Sequence, residues 1–368
     1  MATSLEWVAF VCTQVLLFVY CLVIYLDMYK TKIIKKTLHF KQPAGTSRGV
    51  YTTRDIWIVR LQSDEIPGRV GVGECAPLPD LSCDALPDYD ERLRLLCDMV
   101  EQTGRIDRGL FMPYPSMLFG LEVAMLNLGK GKILFDSAFA RGEEGIPING
   151  LVWMGNYEEM NLRMEEKLKT GFKCVKLKIG AIDFDSELSL IKSIRRRFSK
   201  DDIELRVDAN GGFSVEEAPN RLEALSHYDI HSIEQPIKQG QWKEMAVLCR
   251  NTPLPIALDE ELIGVNMKGM KQELLDRIKP HYLVLKPSLH GGICGTEEWV
   301  TMARECGVGS WITSALESNV GLGAIAQLAA HVYGDGIDFA QGLGTGALFT
   351  DNTDSTTEIR GNELWMKG

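Results

Sequence analysis

Lys178, Asp208, Glu234, Asp259 and Lys286 follow one another at intervals of 25 to 30 residues. Each lies within or at the end of a short apolar run: CVKLKIG, IELRVDAN, HSIEQP, PIALDE and YLVLKP. One strand plus one helix fills such an interval, so charges at this pitch predict the carboxyl ends of successive strands in a (β/α) barrel. In that fold the strand ends converge on one active site. A lone acid at a strand-to-helix turn reads most simply as a helix N-cap. Three on consecutive strand ends would repel one another at close range, and a cation is their natural partner. Asp208, Glu234 and Asp259 are therefore the candidate metal ligands, flanked by the ammonium groups of Lys178 and Lys286. All-oxygen ligation with room for water and substrate suits Mg2+ or Mn2+ better than zinc.

Period-two alternation places Lys176 on the same side of its strand as Lys178. Val175, Leu177 and Ile179 take the helix-facing side, which turns both lysines towards the barrel axis. Neighbouring amines disfavour each other's charge, so a buried pair without a task is costly. Lys286 lies half a turn around an eight-stranded ring, facing them across the mouth. Asn210 follows the first acid, and Ser314, Ser318 and Asn319 stand near the start of the last barrel helix. There, free N–H groups and the positive dipole end can hold a substrate carboxylate, although N-capping explains serine and asparagine equally well. His290, in KPSLHGGI just past the sixth strand, is within reach of substrate, but a loop histidine without that role is the plainer reading.

The positioning elements are legible as texture. Runs at 31–40, 55–62 and 69–75 predict an antiparallel meander. The segment 41–54, rich in Pro, Gly, Ser and Thr, predicts a loop. Helical spacing follows at 89–102 and 115–131. From Ile146, strands are expected at 146–153, 174–180, 203–209, 231–235, 255–259, 281–286, 309–314 and 337–341, with helices between. The expected organisation is an α+β capping domain (28–140), an α/β, TIM-like (β/α)7-8 barrel (141–342) and a tail (343–368) that packs on the capping domain and completes it.

The 368 residues exceed what one core usually serves, which agrees with a large domain plus a smaller one. A formal net charge of −10 lacks the basic footprint of a nucleic-acid binder, so nucleic acid is not an expected partner; the small-molecule carboxylate expected instead rests on the candidate site. Nine cysteines, an odd number without a CxxC pair, read as reduced cytoplasmic thiols. Trp7 to Leu26 is an uncharged run long enough to cross a bilayer, and the lysines after it would keep the barrel in the cytoplasm. The competing reading starts translation at Met28, because the first strand begins almost at once after residues 1–27. Membrane attachment is expected only if residues 7–26 are retained.

KLK (176–178), VDAN (207–210), IEQP (233–236), ALDE (257–260) and VLKP (284–287) together resemble the enolase superfamily. Within it they are similar to the muconate-lactonizing subgroup, with lysine on the second and sixth strands. GVGECAPLP (71–79) resembles that family's capping loop beside the active site, and 41–54 its mobile loop. GSWITSALES (309–318) has no histidine base of the mandelate-racemase kind. WITSALESNVGLGAIAQLAA (311–330) and FAQGLGTGALF (339–349) resemble the o-succinylbenzoate synthase family, whereas dipeptide epimerases typically carry Asp-x-Asp where this chain has QGLGTG.

The resemblance implies syn dehydration of 2-succinyl-6-hydroxy-2,4-cyclohexadiene-1-carboxylate, with Mg2+ on Asp208, Glu234 and Asp259. It makes Lys178 the base, Lys286 the charged group opposite, and Lys176 the neighbour that lowers the pKa of Lys178; a lysine base with Mg2+ is the superfamily's general pattern. Dipeptide epimerisation and N-succinylamino-acid racemisation are the alternatives, since the same two lysines serve each. A membrane-tethered binding protein without activity is a poorer fit, because none of the five charged residues is lost.

Overall fold

The structure, a computed structural model, describes residues 29–46, 49–153, 155–180 and 183–368. The apolar run at 7–26 lies outside the described residues. Among the described residues no helix is long and apolar enough to cross a membrane.

β1 (Lys30–Thr46) and β2 (Gly49–Gln62) pair antiparallel, and β3 (Gly71–Cys75) joins β2. The β1–β2 register shifts once, between His39 and Ala44. The expected loop at 41–54 is largely the far half of this hairpin, with Ala44 opposite Tyr51 and Leu38 opposite Arg54. Cross-strand pairing overrides the local turn composition. α1 (Tyr89–Thr103) buries Leu93, Leu96, Cys97 and Val100, the helical stripe that covers a sheet. α2 (Pro115–Lys130) lies so close on β3 that a Cβ on Gly73 would fall 1.8 Å from the Gly120 carbonyl oxygen. Only residues without a side chain permit that approach.

β4 (Ile146–Pro147) belongs to a small separate sheet, and the barrel begins after it. Its elements are β5 (Gly150–Val152), α3 (Tyr157–Thr170), β6 (Cys174–Lys178), α4 (Phe184–Arg197), β7 (Glu204–Asp208), α5 (Ala218–Ser226) and β8 (Ser232–Glu234). α6 (Trp242–Asn251), β9 (Ile256–Leu258), α7 (Lys268–Ile278), β10 (Tyr282–Leu285), α8 (Gly292–Glu305), β11 (Gly309–Ile312) and α9 (Asn319–Tyr333) complete it. The strands lie side by side in chain order, all parallel. β6 is buried along its whole length, as a strand covered on both faces must be.

The expected eighth strand at 337–341 is not a strand. Single parallel bridges, Ile148 to Gln341 and Thr313 to Gly342, close the ring instead. The approach to this segment passes through Gly334 and Gly336, both at positive φ, which breaks the extended backbone a strand requires. The Gln341 side chain then replaces a ladder bond: its Oε1 accepts the Ile312 N–H at 2.7 Å.

The tail does two things. Residues 348–351 run along β1, where Lys41 N–H donates to the Leu348 carbonyl at 2.8 Å and Thr350 N–H to the His39 carbonyl at 2.9 Å. β12 (Thr357–Arg360) and β13 (Glu363–Met366) instead form a hairpin that pairs with β4, at the start of the barrel segment.

Candidate active site

Strand register builds the site. Lys178 is the Cα partner of Asp208, and Asp208 of Glu234, so three charged residues end adjacent strands at one level. Asp259 directly follows β9 and Lys286 directly follows β10. Asp208, Glu234 and Asp259 are fully buried, and each offers a carboxylate oxygen within 4.8 Å of the others.

The lysines lie along this acidic row. Lys178 Nζ donates to Asp208 Oδ2 at 2.6 Å and to Asn210 Oδ1 at 2.8 Å. Lys176 Nζ reaches the same Asp208 oxygen at 3.2 Å and Glu234 Oε2 at 2.7 Å. Lys286 Nζ holds both Asp259 oxygens, at 2.6 and 2.5 Å. Lys178 and Lys286 thus stand at opposite ends of the row.

Burial opposes every charge here, and the partners decide each outcome. Burial acts against the Lys176 ammonium, but Glu234, Asp208 and Asp259 outweigh it and hold its pKa well above the ordinary lysine value. Carboxylates, not the Lys178 amine, are the nearest charged partners of Lys176. Burial works to raise Asp208, and Lys178 and Lys176 pull it far below the carboxylate range. Lys286 lowers Asp259 in the same way against the effect of burial. Glu234 goes the other way, pushed up to about 8 by burial and the repulsion of Asp208 and Asp259, despite Lys176. Its Oε1 is buried with no hydrogen-bond partner. An orphaned carboxylate oxygen within an all-oxygen trio fits a divalent cation, since a buried acceptor left unpaired is costly.

Backbone supports aim these groups. Gln235, at φ +37°, receives the N–H groups of Asp259 and Glu261 on its Oε1, both at 3.2 Å. Asn210, at φ +46°, donates from Nδ2 to Glu260 Oε1 at 3.0 Å while accepting from Lys178. His290 accepts the Lys286 N–H on Nδ1 at 2.9 Å, and burial drives its pKa down to about 3. It shapes the Lys286 turn and does not line the cavity.

A cavity opens over the row, lined by Lys176, Lys178, Lys286 and Asn210 and walled by Leu78, Leu81, Leu151, Trp153 and Leu316. Of the expected substrate contacts, Ser314 and Asn210 line it; Ser318 and Asn319 do not. Glu74 of the capping sheet reaches the α9 N-terminus first, taking the N–H groups of Ser318 and Gly321, both at 2.8 Å, and the Ser318 hydroxyl. The Asn319 side chain donates to the Thr353 carbonyl at 2.7 Å. Ser314 is itself tied to the buried Glu317, at 2.6 Å. Sequence reasoning missed Gln235 and Glu260, both of which sit inside the quoted motifs.

A site of this kind can hold a carboxylate on a divalent ion and place an amine at either end of the metal-binding row. Proton transfer beside that carboxylate is a chemistry such an arrangement can perform.

The chain is similar to known proteins in sequence and in fold. Residues 159–340 match the enolase C-terminal domain-like family model, and residues 30–128 match the MenC N-terminal domain model. The chain is 45% identical to the o-succinylbenzoate synthase of Desulfotalea psychrophila, over 90% of this chain and 97% of that one. The crystal structure of MenC from that organism superposes with a TM-score of 0.80 at 40% identity, covering 92% of this chain and all of that one. The L-Ala-D/L-Glu epimerase of Bacillus subtilis shares the fold, with a TM-score of 0.78 at 21% identity over 93% of this chain and 97% of that one. By its sequence and its fold, the chain belongs to the enolase superfamily, in its o-succinylbenzoate synthase family.

Proposed function

We propose that the chain is a cytoplasmic hydro-lyase of menaquinone biosynthesis that converts 2-succinyl-6-hydroxy-2,4-cyclohexadiene-1-carboxylate into 2-succinylbenzoate and water. The observation that carries this reading is the buried row from Lys178 through Asp208, Glu234 and Asp259 to Lys286 beneath an apolar cavity. Asp208, Glu234 and Asp259 would hold Mg2+, or Mn2+ in its place. That ion supplies electrostatic stabilisation of negative charge developing on the substrate carboxylate.

The chain's own groups do the rest. Lys178 Nζ removes the proton from the ring carbon bearing the carboxylate, then returns a proton to the hydroxyl leaving the adjacent carbon on the same face. One C–H and one C–O bond break, the ring gains its third double bond, and water departs without any redox change. Lys286, anchored on Asp259, supplies positive charge at the far end of the row. Lys176, fixed between Asp208 and Glu234, balances the acids and leaves Lys178 as the amine for proton transfer. Leu78, Leu81, Leu151, Trp153 and Leu316 keep water from the ring. Asn210 and Ser314 contact the substrate; Ser318 and Asn319 are excluded from that role because Glu74 and Thr353 occupy them.

Gly342, Gly344 and Thr345 line the cavity where a dipeptide epimerase would need acids for an ammonium group. Without such acids, a dipeptide's charged amine would be desolvated unpaired. The test is an ultraviolet assay for aromatic product, run beside a panel of dipeptides and N-succinylamino acids. EDTA should abolish turnover of the cyclohexadiene, and Mg2+ should restore it. Chelator-resistant activity, or turnover of a dipeptide with none of the cyclohexadiene, would overturn the proposal.

A further inference from the structure

We infer that Arg54 is a positioning residue that fastens the capping loop at 76–78 to the barrel loop at 315–316 and so sets how tightly the cavity holds its substrate. The inference rests on the cavity being the substrate site, as proposed above.

Arg54 lies on β2, and only 2% of it is exposed. Its hydrogen bonds end on main-chain carbonyls of both domains. Nη2 donates to Ala76 at 2.6 Å and to Ala315 at 3.3 Å, Nη1 to Pro77, and Nε to Leu316 at 3.3 Å. Glu317 and Glu74 favour its charge through space and oppose the effect of burial, but neither bonds to it. A guanidinium taken out of water without a bonded carboxylate is a poor route to stability. The position is otherwise suited to an apolar side chain, since Leu38, Ile56, Ala76, Leu78, Leu316 and Phe349 form one packed cluster at this junction.

The barrel loop is also strained. Leu316 sits at φ +66°, a region that leucine rarely adopts and that persists only where surrounding contacts enforce it. Its carbonyl is the one that receives Arg54 Nε. Leu78, Ala315 and Leu316 face the cavity, so the fastened loops are its wall. One follows β3 and the other β11, whereas the lysines and acids sit on or directly after β6 to β10. Arg54 therefore governs contacts with the unreacting part of the substrate, which are shared by ground state and transition state. Loss of such uniform binding raises KM and leaves kcat in place. Lysine cannot substitute, because a single ammonium lacks the planar fork that spans four carbonyls.

The experiment compares the Mg2+-loaded full chain with Arg54→Lys and Arg54→Met. Both variants should raise KM by roughly 10-fold or more while kcat changes by less than about 3-fold. Amide hydrogen exchange should quicken in 78–83 and 314–317 together and stay unchanged in β7. A fall in kcat at constant KM, full rescue by lysine, or loosening of one loop alone would overturn the inference. Should the variants fail to fold, exchange in the wild-type chain decides: the two loops open at a common rate if Arg54 fastens them, and at unrelated rates if it does not. A wild-type chain inactive on the cyclohexadiene would defeat the substrate assignment while leaving this exchange test intact.

Discussion

Asp208 Oδ2 receives two ammonium groups at once, and that shared oxygen defines the chemistry at the residue scale. Lys176 has a second carboxylate in Glu234, whereas Lys178 has only the neutral amide of Asn210. On the mechanism proposed above, Lys178 is therefore the one of the pair that trades protons with the substrate. Lys178→Ala should lower kcat by about 10²- to 10⁴-fold, the usual worth of a positioned base. Steady-state kinetics and a calorimetric Mg2+ titration check this: metal affinity should survive, and a kcat like wild type would remove Lys178 from the role. Lys286→Arg keeps the charge but replaces a compact ammonium with a wide fork. It should impair turnover with an unchanged circular dichroism spectrum, and an unfolded variant would show that the contact with Asp259 is structural. The five charged positions were legible because their spacing is the barrel's own period. The pairing of their tips was not, since it depends on strand register and burial. Ser318 and Asn319 mislead for a related reason. A helix N-terminus attracts any anion, and nothing local reveals that Glu74 arrives from 244 residues away.

At the scale of elements, the strands and helices from 150 to 333 follow the sequence pattern closely, because apolar runs and amphipathic stretches alternate without ambiguity. The departures fall where long-range pairing sets the structure. The 41–54 segment looks like a loop by composition yet is drawn into a hairpin by its partner strand. The 337–341 segment looks like a strand yet closes the ring through two bridges. Gln341 makes that closure workable by accepting the Ile312 N–H and by donating from Nε2 to the Phe339 carbonyl at 3.3 Å. Gln341→Ala would leave the Ile312 N–H buried and unpaired, a loss of roughly 1–3 kcal/mol. A lower urea midpoint should accompany it, with little change in kcat because Gln341 does not line the cavity. An unshifted midpoint would mean that the closure relies on the backbone bridges alone.

Across the whole molecule, the capping domain holds the barrel by two acids on two successive helices. Glu74 caps α9, and Glu122, from α2, accepts the Ile293 N–H at 2.6 Å in the first turn of α8. A helix N-terminus favours an anion, but burial disfavours one. For Glu122 burial wins, raising its pKa from an ordinary 4.5 to about 7, with Arg108 at 3.9 Å and the first-turn N–H groups opposing and Glu297 adding to the rise. Between these values the folded chain keeps a proton that the unfolded chain releases. Stability linked to Glu122 is therefore full below about pH 4.5 and is lost as pH rises towards 7, by on the order of 3 kcal/mol. Glu122→Gln keeps a carbonyl to accept from Ile293 and removes the titration. Urea midpoints at pH 5, 6, 7 and 8 should fall less steeply for the variant than for wild type, and the difference between the two chains cancels every other titrating group. Parallel slopes would mean that Glu122 is already charged at pH 5, with the helix terminus and Arg108 outweighing burial at this joint.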